Sequence, residues 1–251
     1  MDLVYPPVIG AARLFFAALG LKIDVEGAEH VPRHGPALVV SNHVSYLDFV
    51  FVGLAARPSR RYVRFLTRYD VWHSPAGPLM TGMRHIPVDR AAPAGAYLSA
   101  RAALNRGEVV GIFPEAGVSR SFAVRSLMPG AVALAQETGV PIVPVAVWGP
   151  QRIATAGLPV SLRRGRPVSI EVGSPWRPTG DVGCETRAMG ARLQELLDGV
   201  QRRHPDQPQP GTCAPWHPAH LGGHAPPAAQ ALFEADLPRW AVPPSPGPFF
   251  R

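Results

Sequence analysis

From Ile23 onward, short apolar runs alternate with longer helix-like stretches, and no other property of the chain restricts its fold as much. ALVVSN (37–42) precedes LDFVFVGLAA (47–56), and RYVRFLT (61–67) is joined through a Gly/Pro-containing connection to HIPVD (85–89). AYLSARAALNRG (96–107), VVGIFP (109–114), GAVALAQETG (130–139), VPIVPVAVWG (140–149) and PVSIEVG (167–173) follow, before a closing helix near Thr186 to Arg202. A strand wetted on one face alternates apolar with polar residues, whereas a near-continuous apolar strand is covered on both faces. The pattern predicts an α/β fold with a mostly parallel central sheet covered by helices. No internal repeat interrupts it.

The two ends differ from this main domain, placed at 27–203. Residues 1–26 contain an apolar stretch, Val8 to Leu21, broken only by Arg13 and preceded by Pro6 and Pro7 as a helix start. It is shorter than the roughly 18 residues a spanning helix requires. Two placements fit it: an amphipathic interfacial helix with Phe15, Phe16 and Leu19 in lipid and Arg13 at phosphate, or a terminal helix packed on the core. Residues 204–251 form a Pro/Gly-rich tail expected to be largely irregular, with a short helix from Ala228 to Leu237. Trp216, Trp240, Phe249 and Phe250 are its candidate docking residues.

The formal net charge is +7, and Lys22 is the only lysine. A basic surface attracts phosphate on nucleic acid or on anionic lipid. With no zinc-finger spacing or aromatic–basic RNA-binding signature, and with an apolar N-terminus, lipid is the expected partner and nucleic acid is not. Cys184 and Cys213 are too few and too isolated for a disulfide framework, and His73 and His85 match no ligand spacing, so no metal is expected. The arginines at 57, 60, 61 and 64, and at 163, 164 and 166, read as solvated faces or as contacts to anionic lipid.

Chemistry concentrates in Ser41-Asn42-His43-Val44-Ser45-Tyr46-Leu47-Asp48, directly after an apolar strand and before an apolar helix. Strand ends are where α/β folds build sites. On one continuous helix His43 and Asp48 would point about 140° apart. A turn between them instead brings Asp48, in the first helical turn, back to the imidazole. The carboxylate then fixes the ring tautomer and leaves the other nitrogen as a base. Taken singly, His43 also reads as a satisfied core histidine and Asp48 as a helix-start carboxylate.

This segment resembles the HxxxxD motif of the glycerolipid acyltransferases, in particular the lysophosphatidic acid acyltransferase family. Three further blocks stand in the family's order: HIPVDR ending at Arg90, Phe113-Pro114-Glu115 opening the FPEG block, and VPIVPVAVWG from Val140 to Gly149. The resemblance implies that His43 deprotonates the acceptor hydroxyl, Asp48 orients His43, Arg90 holds the acceptor phosphate and Glu115 contacts the glycerol. Gly117 and Arg120 are carried with the acceptor site, Arg120 as a second phosphate ligand. The third block departs from the pattern, reading FPEAGVSRS, so Gly117, Ser119, Arg120 and Ser121 sit later than the pattern has them.

The implied activity is transfer of a fatty acyl group from acyl-CoA or acyl carrier protein to lysophosphatidic acid, giving phosphatidic acid for phospholipid biosynthesis. No G-x-S-x-G elbow is present and neither cysteine lies near the blocks, so direct attack without an acyl-enzyme or cofactor is expected. The implied location is the cytoplasmic side of the cell membrane, peripheral or monotopic. The alternatives are another lysolipid acceptor, an ester or thioester hydrolase using the same His–Asp pair, and a non-catalytic lipid-binding scaffold. Arg90 with Glu115 separates transfer from hydrolysis, because water needs no acceptor-binding groups.

Overall fold

A computed structural model describes residues 2–233 and 241–243. Helix α1 (Tyr5–Ala18) leads into β1 (Lys22–Glu26), then β2 (Ala37–Ser41), α2 (Asp48–Ala55), β3 (Val63–Arg68), α3 (Gly77–Gly82), β4 (Ile86–Val88) and α4 (Ala94–Asn105). β5 (Val109–Ile112), α5 (Gly130–Thr138), β6 (Ile142–Trp148), β7 (Pro167–Val172), α6 (Val182–Arg203) and α7 (Ala228–Phe233) complete the order. The strands form one seven-stranded sheet in the order β1-β7-β6-β2-β5-β3-β4. Every neighbouring pair is parallel except β6 with β7, which is antiparallel.

Period-two geometry explains why the central strands read as unbroken apolar runs. Leu38 and Val40 of β2, with Ile142, Ala146 and Trp148 of β6, pack among the residues of α4, α5 and α6. Their neighbours Ala37, Val39, Val143, Val145 and Val147 face α2 and Phe16 of α1 on the other side. Each strand thus needs apolar side chains at both parities, the signature of a covered parallel sheet. At one edge, β1 places Lys22, Asp24 and Glu26 outward, charges that discourage pairing with another chain.

Helix α1 divides its apolar residues between two surroundings. Phe16 stacks on Phe51 with centroids 4.7 Å apart, Leu19 and Tyr5 are buried, and Tyr5 stacks on Tyr62 at 4.5 Å. Phe16 and Leu19 are therefore core residues, as in the packed placement and not the interfacial one; Leu14 and Phe15, with Leu3 just before the helix, are the large apolar residues turned outward. No helix among the described residues is long and apolar enough to cross a membrane. The arginine cluster at 57–64 is likewise partly internal. Arg64 is buried against Asp2 at 2.7 Å and Glu108 at 2.5 Å, and Arg61 donates to the Gly35 and Gly107 carbonyls.

Among the described residues, the mostly irregular chain after α6 touches the domain at several points. The Arg152 guanidinium sits 3.6 Å over the Trp216 ring, His217 packs edge-on to Trp148, and Val242 exchanges both backbone hydrogen bonds with Leu127. Trp240, Phe249, Phe250 and the 234–237 part of the expected C-terminal helix lie outside the described residues.

Candidate active site

β2 ends at Ser41, and the next residue extends its pairing by side chain. The Asn42 amide donates to the Val147 carbonyl at 3.0 Å and accepts from the Val147 N–H at 2.8 Å, tying the loop to β6 where the β2 backbone leaves the sheet. His43 follows at the C-terminal edge of the sheet. The chain then reverses over Val44 to Leu47, and Asp48 opens α2.

That reversal wraps the loop around a single carboxylate oxygen. Asp48 Oδ2 accepts from His43 Nδ1 at 3.0 Å, from the Val44 N–H at 2.7 Å and from the Ser45 N–H at 2.8 Å. The turn expected from the spacing is present, and it builds the same bond that holds the imidazole. With Nδ1–H committed to Asp48, Nε2 of the neutral ring is the acceptor nitrogen. Burial pushes the Asp48 carboxyl up from its ordinary range, while the hydrogen bonds from His43, Ser45 and Val44 pull it down. Among the described residues Asp48 Oδ1 is buried without a partner.

The other side of His43 is held by the loop after β5. Phe113 stacks on the imidazole with centroids 4.4 Å apart, and Glu115 Oε1 accepts from the His43 N–H at 2.8 Å. The Ser119 N–H donates to the His43 carbonyl at 2.7 Å. Both main-chain polar groups of His43 are thus fixed, and its ring keeps 20% of its surface exposed. A base held on three sides with one open edge is pre-organised for proton transfer.

Glu115 is wholly buried, and its side chain turns to the protein, not to an open acceptor site. One oxygen takes the His43 N–H; the other takes the Arg125 N–H at 3.4 Å and lies 3.9 Å from Arg125 Nε. Burial pushes its carboxyl up to about 8 against the opposing pull of Arg125 and those N–H groups. In place of a direct contact to glycerol, the geometry shows a brace for the main chain of His43.

Arg90 is exposed at the rim, with Nη2 donating to the Ala116 carbonyl at 2.5 Å. The neighbouring Asp89 carboxylate turns to the Ala91 N–H. Gly117 makes room: a Cβ there would stand 2.6 Å from Arg125 Nη2 and 3.8 Å from Arg90 Nη2. Two guanidiniums converge on that glycine. Arg120 is exposed beside Gly157, one residue after the Ser119 that holds His43.

Arg125 was not legible as a site residue. It lies ten positions beyond Glu115, outside any block, yet its Nε and Nη2 both donate to the Glu115 carbonyl, at 3.1 and 2.7 Å. The only hint was a charged residue in an otherwise uncharged, largely apolar run, SFAVRSL. Ala116 also departs from simple expectation. It adopts a left-handed φ of 55°, at the position where the FPEG pattern has glycine.

His85 is structural: its Nδ1 accepts from the Phe65 N–H at 3.0 Å, and burial lowers its pKa to about 4. Among the described residues no three His, Cys, Asp or Glu side chains converge as a metal site would require.

A family model described as Acyltransferase matches residues 22–148. The chain is 30% identical over 173 residues to a 1-acyl-sn-glycerol-3-phosphate acyltransferase of Limnanthes douglasii, covering 67% of this chain and 58% of that protein. It is 31% identical over 182 residues to the chloroplastic 1-acyl-sn-glycerol-3-phosphate acyltransferase LPAT1 of Arabidopsis thaliana, covering 70% and 50%. It thus spans little more than half the length of these relatives. The crystal structure of the 1-acyl-sn-glycerophosphate acyltransferase PlsC from Thermotoga maritima superposes with a TM-score of 0.63 at 21% identity, over 76% of this chain and 77% of that one. That likeness establishes the fold: a mostly parallel sheet between helices.

Proposed function

Since the chain belongs to the acyltransferase family, we propose that it moves a fatty acyl group from a thioester onto the free hydroxyl of lysophosphatidic acid, giving phosphatidic acid. The observation that carries this reading is the bond from His43 Nδ1 to Asp48 Oδ2. His43 Nε2 removes the hydroxyl proton as the oxygen adds to the thioester carbonyl. The tetrahedral intermediate collapses with cleavage of the C–S bond, and the imidazolium returns its proton to the departing thiolate. No covalent enzyme intermediate is needed, and the two cysteines, Cys184 and Cys213, lie in α6 and the C-terminal tail.

Arg90 supplies the charge for the acceptor phosphate, since a guanidinium fork matches phosphate oxygens bidentately. Glu115 acts through His43, fixing its main chain. The donor is acyl-CoA or acyl carrier protein, and no cofactor takes part. The outward residues Leu14 and Phe15 of α1, with Leu3 just before the helix, support peripheral attachment to the cytoplasmic side of the cell membrane.

The deciding experiment follows thiol release from acyl-CoA with and without a panel of acceptors. Release that depends on lysophosphatidic acid, with phosphatidic acid formed in equal amount, supports the proposal. Release independent of any acceptor identifies a hydrolase using the same pair, and release only with a different lysolipid changes the acceptor.

A further inference from the structure

The connection between β6 and β7 is long, and it is rooted in the catalytic loop. The Ala154 carbonyl accepts from Ser45 Oγ at 2.6 Å and from the Tyr46 N–H at 3.3 Å, while Thr155 Oγ1 donates to the Val44 carbonyl at 2.6 Å. Its far end is tied to the end of α1, where the Gly165 N–H donates to the Leu19 carbonyl at 2.9 Å. Between these anchors the loop packs Leu158 against the core and turns two apolar side chains outward: Val160 is 70% and Leu162 is 57% exposed. Arg163 and Arg164, also exposed, follow at once.

Two exposed branched aliphatics beside two arginines, with no acidic residue anywhere in 151–166, form the combination that partitions into an anionic interface. Apolar tips enter the acyl boundary while the guanidiniums stay at phosphate depth. Water alone gives no reason for Val160 and Leu162 to be so exposed. The neighbouring end of α1 carries Arg13, Leu14 and Phe15, also exposed, so the loop and the helix offer the same chemistry on linked elements.

We infer that the loop 156–165 is a second lipid-docking element, inserting Val160 and Leu162 into an anionic bilayer with Arg163 and Arg164 on its phosphates. Because its root bonds to Val44, Ser45 and Tyr46, docking fixes the catalytic loop at the interface from which a lipid acceptor must come. Membrane docking stands without the acyltransferase proposal; only its effect on turnover rests on that reading.

The test uses the full chain and vesicles of phosphatidylcholine alone or with phosphatidylglycerol, read by co-sedimentation. V160S/L162S is expected to weaken binding to the mixed vesicles about tenfold or more. R163Q/R164Q should cost roughly 25-fold on those vesicles, from about fivefold per arginine, and little on neutral ones. All four positions are exposed, so unchanged melting is the control for folding. Turnover of a long-chain acceptor presented in vesicles should fall in parallel, while turnover of a short-chain, soluble acceptor stays unchanged. Vesicle binding unchanged in both double variants overturns the inference, as does a wild type that does not bind. If the wild type binds vesicles but turns over no acceptor, the acyltransferase reading fails and the docking element stands.

Discussion

His43 and Asp48 are five positions apart in the chain and 3.0 Å apart in space, Nδ1 to Oδ2, because the oxygen that orients the ring also closes the turn between them. Orientation and loop conformation therefore share one atom. Asp48→Asn keeps the size but replaces one acceptor oxygen with a donor amide. With the amide oxygen in the Oδ2 place all three bonds survive, but the charge that steadies an imidazolium is lost; with the NH2 group there, the Val44 and Ser45 N–H groups lose their acceptor and the ring takes the tautomer with Nε2 protonated. Turnover should drop by about 10²-fold or more, in line with the loss of a correctly oriented base, while the melting temperature changes by only a few degrees. Activity within a few-fold of wild type would show that ring orientation does not need this carboxylate.

Glu115 gives a pH signature of definite sign. Its folded pKa, about 8, lies above the unfolded value of 4.5, so between those limits the folded state holds a proton that the unfolded chain releases. Its contribution to stability is complete below about 4.5 and declines as pH rises toward 8. Glu115→Gln removes this titration but keeps an oxygen for the His43 N–H. The variant's denaturant midpoint, compared with wild type from pH 5 to 8.5, should gain ground as pH rises, with most of the activity retained. Glu115→Ala should lose both stability and activity. A wild-type and Glu115→Gln difference that stays flat across this range contradicts the assignment.

Ala116 holds a left-handed conformation that costs an L-residue about 1 kcal/mol and glycine almost nothing. After allowing for the greater freedom of glycine in the unfolded chain, Ala116→Gly should add about 0.5 kcal/mol, or roughly 1–2 °C of melting temperature at this chain length. Its carbonyl still receives Arg90, so kcat should not change. A lower melting temperature would mean that the methyl group makes contacts worth more than the strain.

Much of the fold could be read before any coordinates, and the reason is physical. A parallel strand buried on both faces has no room for polar residues, so β2 and β6 announce themselves as unbroken apolar runs. The antiparallel attachment of β7 leaves no such mark, since its burial alternates like that of any half-covered strand. The placement of α1 stayed open for a related reason: apolar residues lie all around it, and nothing local says that Phe16 meets Phe51 while Leu14 meets solvent. His43 and Asp48 were legible because local turn geometry joins them. The burial of Glu115, the return of Arg125 and the docking of Trp216 over Arg152 depend on contacts between distant segments, which spacing does not encode.

Arg90 tests the phosphate. Arg90→Ala should lower kcat/KM for lysophosphatidic acid by about 10- to 150-fold, the loss of one charge-assisted contact of roughly 1.5–3 kcal/mol, and leave the donor KM nearly unchanged. Arg90→Lys should rescue only in part, because an ammonium restores charge without the planar fork. The dephosphorylated acceptor should be turned over equally by wild type and Arg90→Ala. Equal losses on both acceptors would make Arg90 a structural tie to the Ala116 carbonyl.

Whether His43 is the base that activates a lipid hydroxyl is read from the initial rate of acceptor-dependent thiol release for wild type and His43→Ala at saturating donor and acceptor. His43→Ala should lose at least about 10²-fold, with KM for lysophosphatidic acid little changed, since the proton acceptor is used mainly in the transition state. Retention of more than about a tenth of the wild-type rate would contradict that role, because a positioned base contributes about 10²-fold or more.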